Sequence, residues 1–211
     1  ITAVTGTNGK TTATVLLGEM LERSGLKTFV GGNIGNPLIE YADSEQKADR
    51  VVLELSSFQL DTIETFRAAV AVLLNVTDDH MDRYPDFKAY ADSKARIFQN
   101  QTSDDFAVLK GADPVSLKIA DHIKARKLFF ARESATGSKF EENCALISTG
   151  TGTNDPRMAI RFGGGALLEL DMSVFSPPGI HNLENAAAAS LAAVAAGATR
   201  KGVVSALKNF K

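Results

Sequence analysis

The stretch Ile1-Thr2-Ala3-Val4-Thr5-Gly6-Thr7-Asn8-Gly9-Lys10-Thr11-Thr12 decides the fold. Its first five residues are strand-like, and a helical pattern runs from Thr11 to Ser24. Between them Gly6 and Gly9 let backbone N–H groups turn inward around phosphate oxygens. The helix N-terminus adds partial positive charge at the same place. Lys10 is then positioned to reach the β- and γ-phosphates of a nucleotide, and the Thr11 hydroxyl to hold Mg²⁺. The spacing G-x-x-G-K-T is shorter than the usual phosphate loop, because the position that ordinarily carries the first glycine is Val4. A dinucleotide G-x-G-x-x-G is absent from this stretch. A turn that merely joins strand to helix is the alternative, and Lys10-Thr11-Thr12 between two such elements argues against it.

Working outward, short apolar runs alternate with helical patterns. Strands are expected at Ile1–Thr5, Thr28–Val30, Val51–Leu55, Val70–Val76, Ala107–Leu109 and Leu128–Phe130. Helices are expected at Thr11–Ser24, Pro37–Tyr41, Phe87–Gln99 and Pro114–Ile123. Buried strands separated by helices predict an α/β fold of the phosphate-loop type, its mostly parallel sheet covered by helices on both faces. After Arg132 the composition shifts to Ser, Thr, Gly and Asn. Three short strands are expected there, at Ala145–Ser148, Met158–Phe162 and Leu167–Met172, with a turn at Gly163-Gly164-Gly165. They form a small antiparallel β appendage within about residues 133–176. The run Gly150-Thr151-Gly152-Thr153-Asn154 reads as a flexible loop, since no helix follows it. Helices resume at Asn182–Ala196 and Lys201–Asn209.

Bulk properties narrow the function. The 211 residues carry a formal charge of −2 with acids and bases interspersed, which gives no footprint for nucleic acid or an anionic membrane. Cys144 is the only cysteine, so no intrachain disulfide can form, and it reads as a buried or incidental thiol. The apolar run Ala186 to Ala198 is too short and too alanine-rich to span a bilayer. A soluble cytoplasmic protein is expected. A strand that begins at residue 1 points to a chain cut from a longer one.

Two further features stand out from the residues alone. Glu54 ends the apolar strand Val51-Val52-Leu53, at the sheet edge where ligands bind in open parallel sheets. An acid there is costly to bury unpaired, and Mg²⁺ coordination accounts for it, the alternative being a side chain that emerges into solvent. Asn182 and Asn185 lie three apart on one helical face, and their amides suit the edge of adenine. Asn182 serves equally as a helix N-cap.

The phosphate loop, together with Gly32-Asn33-Ile34-Gly35-Asn36-Pro37, Glu54-Leu55-Ser56-Ser57-Phe58-Gln59-Leu60 and Asn75-Val76-Thr77-Asp78-Asp79-His80-Met81-Asp82-Arg83-Tyr84, resembles the Mur ligase and folylpolyglutamate synthase superfamily. Tyr90-Ala91-Asp92-Ser93-Lys94 and Gly179-Ile180-His181-Asn182-Leu183-Glu184-Asn185 extend the resemblance, the last fitting the family's G-x-H-N-x-x-N. The segments run in family order, and Ser57-Phe58-Gln59-Leu60 is most similar to the D-glutamate-adding branch.

The resemblance implies the central ATP-binding domain, over residues 1–211, of an ATP- and Mg²⁺-dependent amide ligase. The family's N-terminal UDP-binding and C-terminal amino-acid-binding domains have no counterpart in this stretch. Its substrates would be UDP-N-acetylmuramoyl-L-alanine and D-glutamate, joined through an acyl phosphate. By the same resemblance Gly6, Thr7, Asn8, Gly9, Lys10, Thr11 and Thr12 hold the phosphates, and Asn182 and Asn185 the adenine. Thr11, Glu54, His80 and a carbamylated Lys94 serve the metal ions, with Lys10, His80 and Lys94 catalytic and Asn33 and Ser56 near the acceptor. Several of these residues have a plainer alternative. For His80 it is a histidine held by Asp78 or Asp79, for Lys94 a surface lysine beside Asp92 or Arg96, and for Asn33 and Ser56 a role in turns. A related ligase, such as folylpolyglutamate synthase or a Mur ligase adding another residue, and a nucleotide-binding module without ligase chemistry remain the competing function classes.

Overall fold

The computed structural model describes residues 1–45, 47–79, 82–133, 142–149 and 156–211. The described strands form one sheet in the order β2-β3-β1-β4-β5-β6-β7-β8-β9. They are β1 (Thr2–Thr5), β2 (Thr28–Gly32), β3 (Arg50–Glu54), β4 (Val70–Leu73), β5 (Phe106–Lys110), β6 (Arg126–Arg132), β7 (Cys144–Thr149), β8 (Pro156–Phe162) and β9 (Gly165–Asp171). Pairing is parallel from β2 through β7 and antiparallel for β7-β8-β9. The expected appendage is therefore continuous with the main sheet: β7 lies parallel to β6, with Phe129 opposite Cys144. The β8–β9 turn is Gly163-Gly164, with φ of 66° and 84°. Two successive positive φ values match the right-handed twist of a tight hairpin, which is why glycine stands at both.

Strand alternation sorts the sheet into two cores. Val4, Val52, Val72 and Val108 face one side, where α1 (Lys10–Glu22), α6 (Ile180–Ala195) and α7 (Arg200–Asn209) pack. Ala3, Leu53, Ala71, Leu73, Ala107 and Leu109 face the other, against α4 (Phe87–Ala95) and α5 (Pro114–Ala120). Because successive side chains point to opposite faces, an unbroken apolar run is what a strand covered on both sides requires. The alanines of α6 at 186–189, 192 and 193 are buried, so that helix lies close against the sheet and α1. Among the described residues no helix is long and apolar enough to cross a membrane.

Some boundaries differ from the sequence expectation. β4 ends at Leu73 and not Val76: the Leu74 N–H still donates to the Thr5 carbonyl at 3.0 Å, and from Asn75 the chain turns to the loop after β1. A short α2 covers Leu38–Asp43, and the helix expected over Phe87–Gln99 stops at Ala95 and tightens into a 3₁₀ turn at Arg96–Phe98. A short helix, α3 (Ser57–Leu60), follows β3; Ser56 caps it, exchanging hydrogen bonds with Gln59 in a capping box. Helix α6 begins at Ile180 with Gly179 as its N-cap, so Asn182 is inside the first turn and not the cap.

Candidate functional site

The parallel order places the C-terminal ends of β1, β3 and β4 side by side, and the loops leaving them meet. Gly9 caps α1 with φ 83°. A Cβ built on Gly9 would lie 2.3 Å from Asn185 Oδ1, so the Asn185 amide packs directly over the loop. Lys10 Nζ donates to the Gly6 carbonyl at 3.1 Å and to the Thr7 carbonyl at 2.9 Å. The N–H groups of the first turn of α1 have no intrahelical acceptors and present the helix's positive end.

Lys94 reaches the same loop from α4. It is 2% exposed and its Nζ donates to the Gly6 carbonyl at 2.9 Å. Its ammonium also lies 4.5 Å from the centre of the Tyr90 ring, while the Tyr90 and Thr7 hydroxyls are 3.3 Å apart. Burial, and then the nearby charge of Lys10, lower the Lys94 amine to about 8, with Asp79 acting in the opposite direction. The surface-lysine alternative is thus set aside by its burial; Asp92 pairs with Lys88.

Glu54 ends β3 and is 2% exposed. Its carboxylate accepts from the Thr11 hydroxyl at 2.9 Å and from the Asn33 amide at 3.0 Å. The Asn33 loop is held close by Gly32, whose φ is 104°; a Cβ at that position would fall 2.4 Å from the Glu54 carbonyl oxygen. A buried carboxylate whose side-chain partners here are two neutral donors is an oxygen-rich position that a hard cation fits. Among the described residues no group of three His, Cys, Asp or Glu forms a metal cluster. Mg²⁺ at this place would draw on Glu54 and Thr11 together with phosphate oxygens and water, the usual composition of its sites.

Two clefts flank the loop. One, of about 360 Å³, is lined by Asn8, Gly9, Asn75, Phe130, His181 and Asn185 among others. The other, of about 430 Å³, is lined by Thr11, Thr12, Pro178, Asn182 and Phe210 among others. Asn182 donates to the Pro178 carbonyl at 2.7 Å, and the Asn185 and Asn182 amides are 3.5 Å apart. The structure thus gathers the loop residues, Lys94, Glu54, Asn33, Asn182 and Asn185 at one sheet edge. Ser56 sits just past β3, its hydroxyl engaged by Gln59. His80 and the 150–154 loop lie outside the described residues.

Sequence reasoning passed over two contributors. Glu184 binds Lys110 at 2.7 Å and Arg132 at 3.2 Å, tying α6 to the ends of β5 and β6 beside the first cleft. Asn75 hydrogen-bonds to the loop itself. Neither has a local signature, although both fall inside segments that resemble the family.

Comparison with known proteins agrees with this geometry. A family model described as the Mur ligase middle domain matches residues 4–193. UDP-N-acetylmuramoylalanine–D-glutamate ligase of Desulfosudis oleivorans is 48% identical over 216 residues, covering 100% of this chain and 44% of the relative. The enzyme of the same name from Desulfatibacillum aliphaticivorans is 52% identical over 211 residues, again covering 100% of this chain and 44% of the relative. The chain therefore spans less than half the length of these curated relatives. Among solved structures, MurF from Acinetobacter baumannii superposes with a TM-score of 0.74 at 20% identity, covering 100% of this chain and 46% of that one, a likeness of fold. The phosphate loop, the sheet order that presents it and the family match over most of the sequence lead to one conclusion: this chain belongs to the Mur ligase middle-domain family.

Proposed function

We propose that this chain is the ATP-binding domain of a cytoplasmic ligase that adds D-glutamate to UDP-N-acetylmuramoyl-L-alanine. The observation that carries the reading is the convergence of Lys10, Lys94 and the Glu54–Thr11 pair on one loop, in a chain 48–52% identical to ligases of that name. Flanking domains of the same polypeptide would bind the uridine nucleotide and the amino acid.

In this reading a carboxylate oxygen of the acceptor attacks the γ-phosphorus of ATP, the bond to the β-phosphate oxygen breaks, and ADP leaves. The amine of D-glutamate then attacks the acyl phosphate carbon. Inorganic phosphate departs, the amide bond forms, and the nitrogen loses a proton. Such chemistry asks the protein mainly for alignment and charge neutralisation. Lys10 and the amides at the start of α1 oppose phosphate charge. Asn182 and Asn185 hold the base, and Asn33 and Ser56 lie toward the acceptor. Mg²⁺, held by Thr11, Glu54, His80 and Lys94, would supply neutralisation of the triphosphate. An ammonium has no lone pair to offer a cation, so Lys94 contributes only as a carbamate. Its amine nitrogen bonds the carbon of CO₂ and releases a proton, a reaction favoured by an amine lowered to about 8.

The test uses the complete polypeptide with UDP-N-acetylmuramoyl-L-alanine, ATP, Mg²⁺ and D-glutamate, following amide product and phosphate. Lys94→Ala should abolish ligation without unfolding, and a short carboxylic acid in solution should partly restore it. A wild-type rate in Lys94→Ala sinks the role of Lys94, and absence of product from the unaltered enzyme sinks the reaction.

A further inference from the structure

Asn75 stands two residues beyond the end of β4, and its side chain and carbonyl both turn to the phosphate loop. Its Oδ1 accepts from the Asn8 N–H at 2.9 Å, and its Nδ2 donates to the Asn8 carbonyl at 3.0 Å. Its own carbonyl accepts from the Thr7 N–H at 3.0 Å. One planar amide thus matches both main-chain polar atoms of Asn8, and the adjoining carbonyl fixes the residue before it.

The N–H groups of Thr7 and Asn8 face Asn75, so they are not the donors that would grip an anion. The N–H groups left over are those of Gly9, Lys10, Thr11 and Thr12, at the start of α1; the first helical bond runs from the Ala13 N–H to the Gly9 carbonyl at 3.0 Å. The loop's bend is set from outside, by a residue 67 positions away in the chain.

We propose that Asn75 is a positioning residue for nucleotide binding: it clamps Thr7-Asn8 so that phosphate is held by the N-terminal amides of α1 and by Lys10. The inference rests on the nucleotide reading above and adds a residue to it. The clamp is a donor–acceptor pair, so its chemistry can be rebuilt. A protonated carboxyl group at position 75 presents one C=O acceptor and one O–H donor, as the amide does. An ionised carboxylate offers only acceptors and sets two oxygens against the Asn8 carbonyl.

The experiment measures ATP–Mg²⁺ affinity by calorimetry on the complete polypeptide carrying Asn75→Ala or Asn75→Asp, from pH 8 to pH 4, a range that reaches the ordinary aspartate value of about 3.9. Asn75→Ala should weaken binding about 10- to 100-fold at every pH, as expected when the two hydrogen bonds that hold the exposed Asn8 main chain are lost together. Asn75→Asp should be at least as weak at pH 8 and should tighten relative to Asn75→Ala as the pH falls. His181 and Glu184 line the same cleft, and Lys10 and Lys94 bind the neighbouring Gly6 carbonyl. These groups are common to both variants, so the ratio of their affinities isolates position 75. In turnover, the KM for ATP should rise while the KM values of the other substrates stay put. Affinity of Asn75→Ala within twofold of wild type, or an Asp-to-Ala ratio flat with pH, overturns the clamp. If Asn75→Ala does not fold, Asn75→Asp against wild type over the same pH range carries the test. Failure of the unaltered protein to bind ATP would overturn the nucleotide reading itself.

Discussion

Lys94→Met should make the resting chain more stable while removing its chemistry. The Lys94 amine is 2% exposed and lowered from 10.5 to about 8, first by burial and then by Lys10. Keeping it protonated near pH 7 against that drop costs about 3 kcal/mol. Methionine fills a similar volume without charge and can rest against Tyr90. The Gly6 carbonyl still has Lys10 as a donor at 3.1 Å, so the loss of one partner does not leave it bare. After discounting for the lost contact with the Tyr90 ring and for imperfect packing, the expected gain is about 1–3 kcal/mol at pH 7. The sign of the pH dependence follows from proton counting. Between about 8 and the ordinary lysine value the folded chain binds fewer protons than the unfolded one, so wild-type stability rises with pH across that window. The gap to Lys94→Met should therefore be constant below about pH 8 and close above it. Urea denaturation of the 211-residue chain in CO₂-free buffer, from pH 7 to pH 10, reads both effects. A variant less stable than wild type at pH 7, or a gap that does not narrow with rising pH, would refute the claim that Lys94 is held at a cost.

Two other outcomes follow from the same edge of the sheet. Gly9→Ala places a Cβ 2.3 Å from Asn185 Oδ1 at a φ of 83°, and should cost about 1–3 kcal/mol in denaturation while abolishing measurable ATP binding. Adding Asn185→Ala should return the steric part but not the backbone part, a coupling that a double-mutant cycle detects. Glu54→Gln keeps groups able to meet Thr11 and Asn33 but removes the buried charge. Stability should hold or rise, and ATP affinity should lose its enhancement by Mg²⁺ in parallel titrations with and without the metal. Unchanged metal dependence would remove Glu54 from the cation site.

The parts of the fold legible in the sequence are those encoded by local pattern. Val51-Val52-Leu53 and Ala107-Val108-Leu109 could be read as buried strands because both faces of the sheet are covered, and the phosphate loop because glycine and helix start coincide. The parallel alignment of β7 with β6 was not legible, since strand pairing is a non-local choice that composition does not encode. Leu74 and Val76 suggest a longer β4 because they are apolar, yet the chain there serves the loop. Helix α3 is too short to show periodicity, although Ser56-x-x-Gln59 carried its capping signal. Pro177-Pro178-Gly179 marked the true start of α6, two residues before the expected one. The site residues Asn75 and Glu184 escaped notice because a single polar residue says nothing of partners 67 and 74 positions away.

Those separations bear on how the chain becomes competent. Gly6 meets Lys94 across 88 positions, Asn8 meets Asn75 across 67, and Thr11 meets Glu54 across 43. Each of these contacts is closed by distant chain, and such contacts form late because loop entropy must be overcome first. The glycine-rich segment alone, or a nascent chain ending before β4, has the motif but not the bend. Nucleotide binding is in this sense a report on the joining of β1, β3, β4 and α4, which makes ATP a sensitive probe of whether those distant contacts have closed.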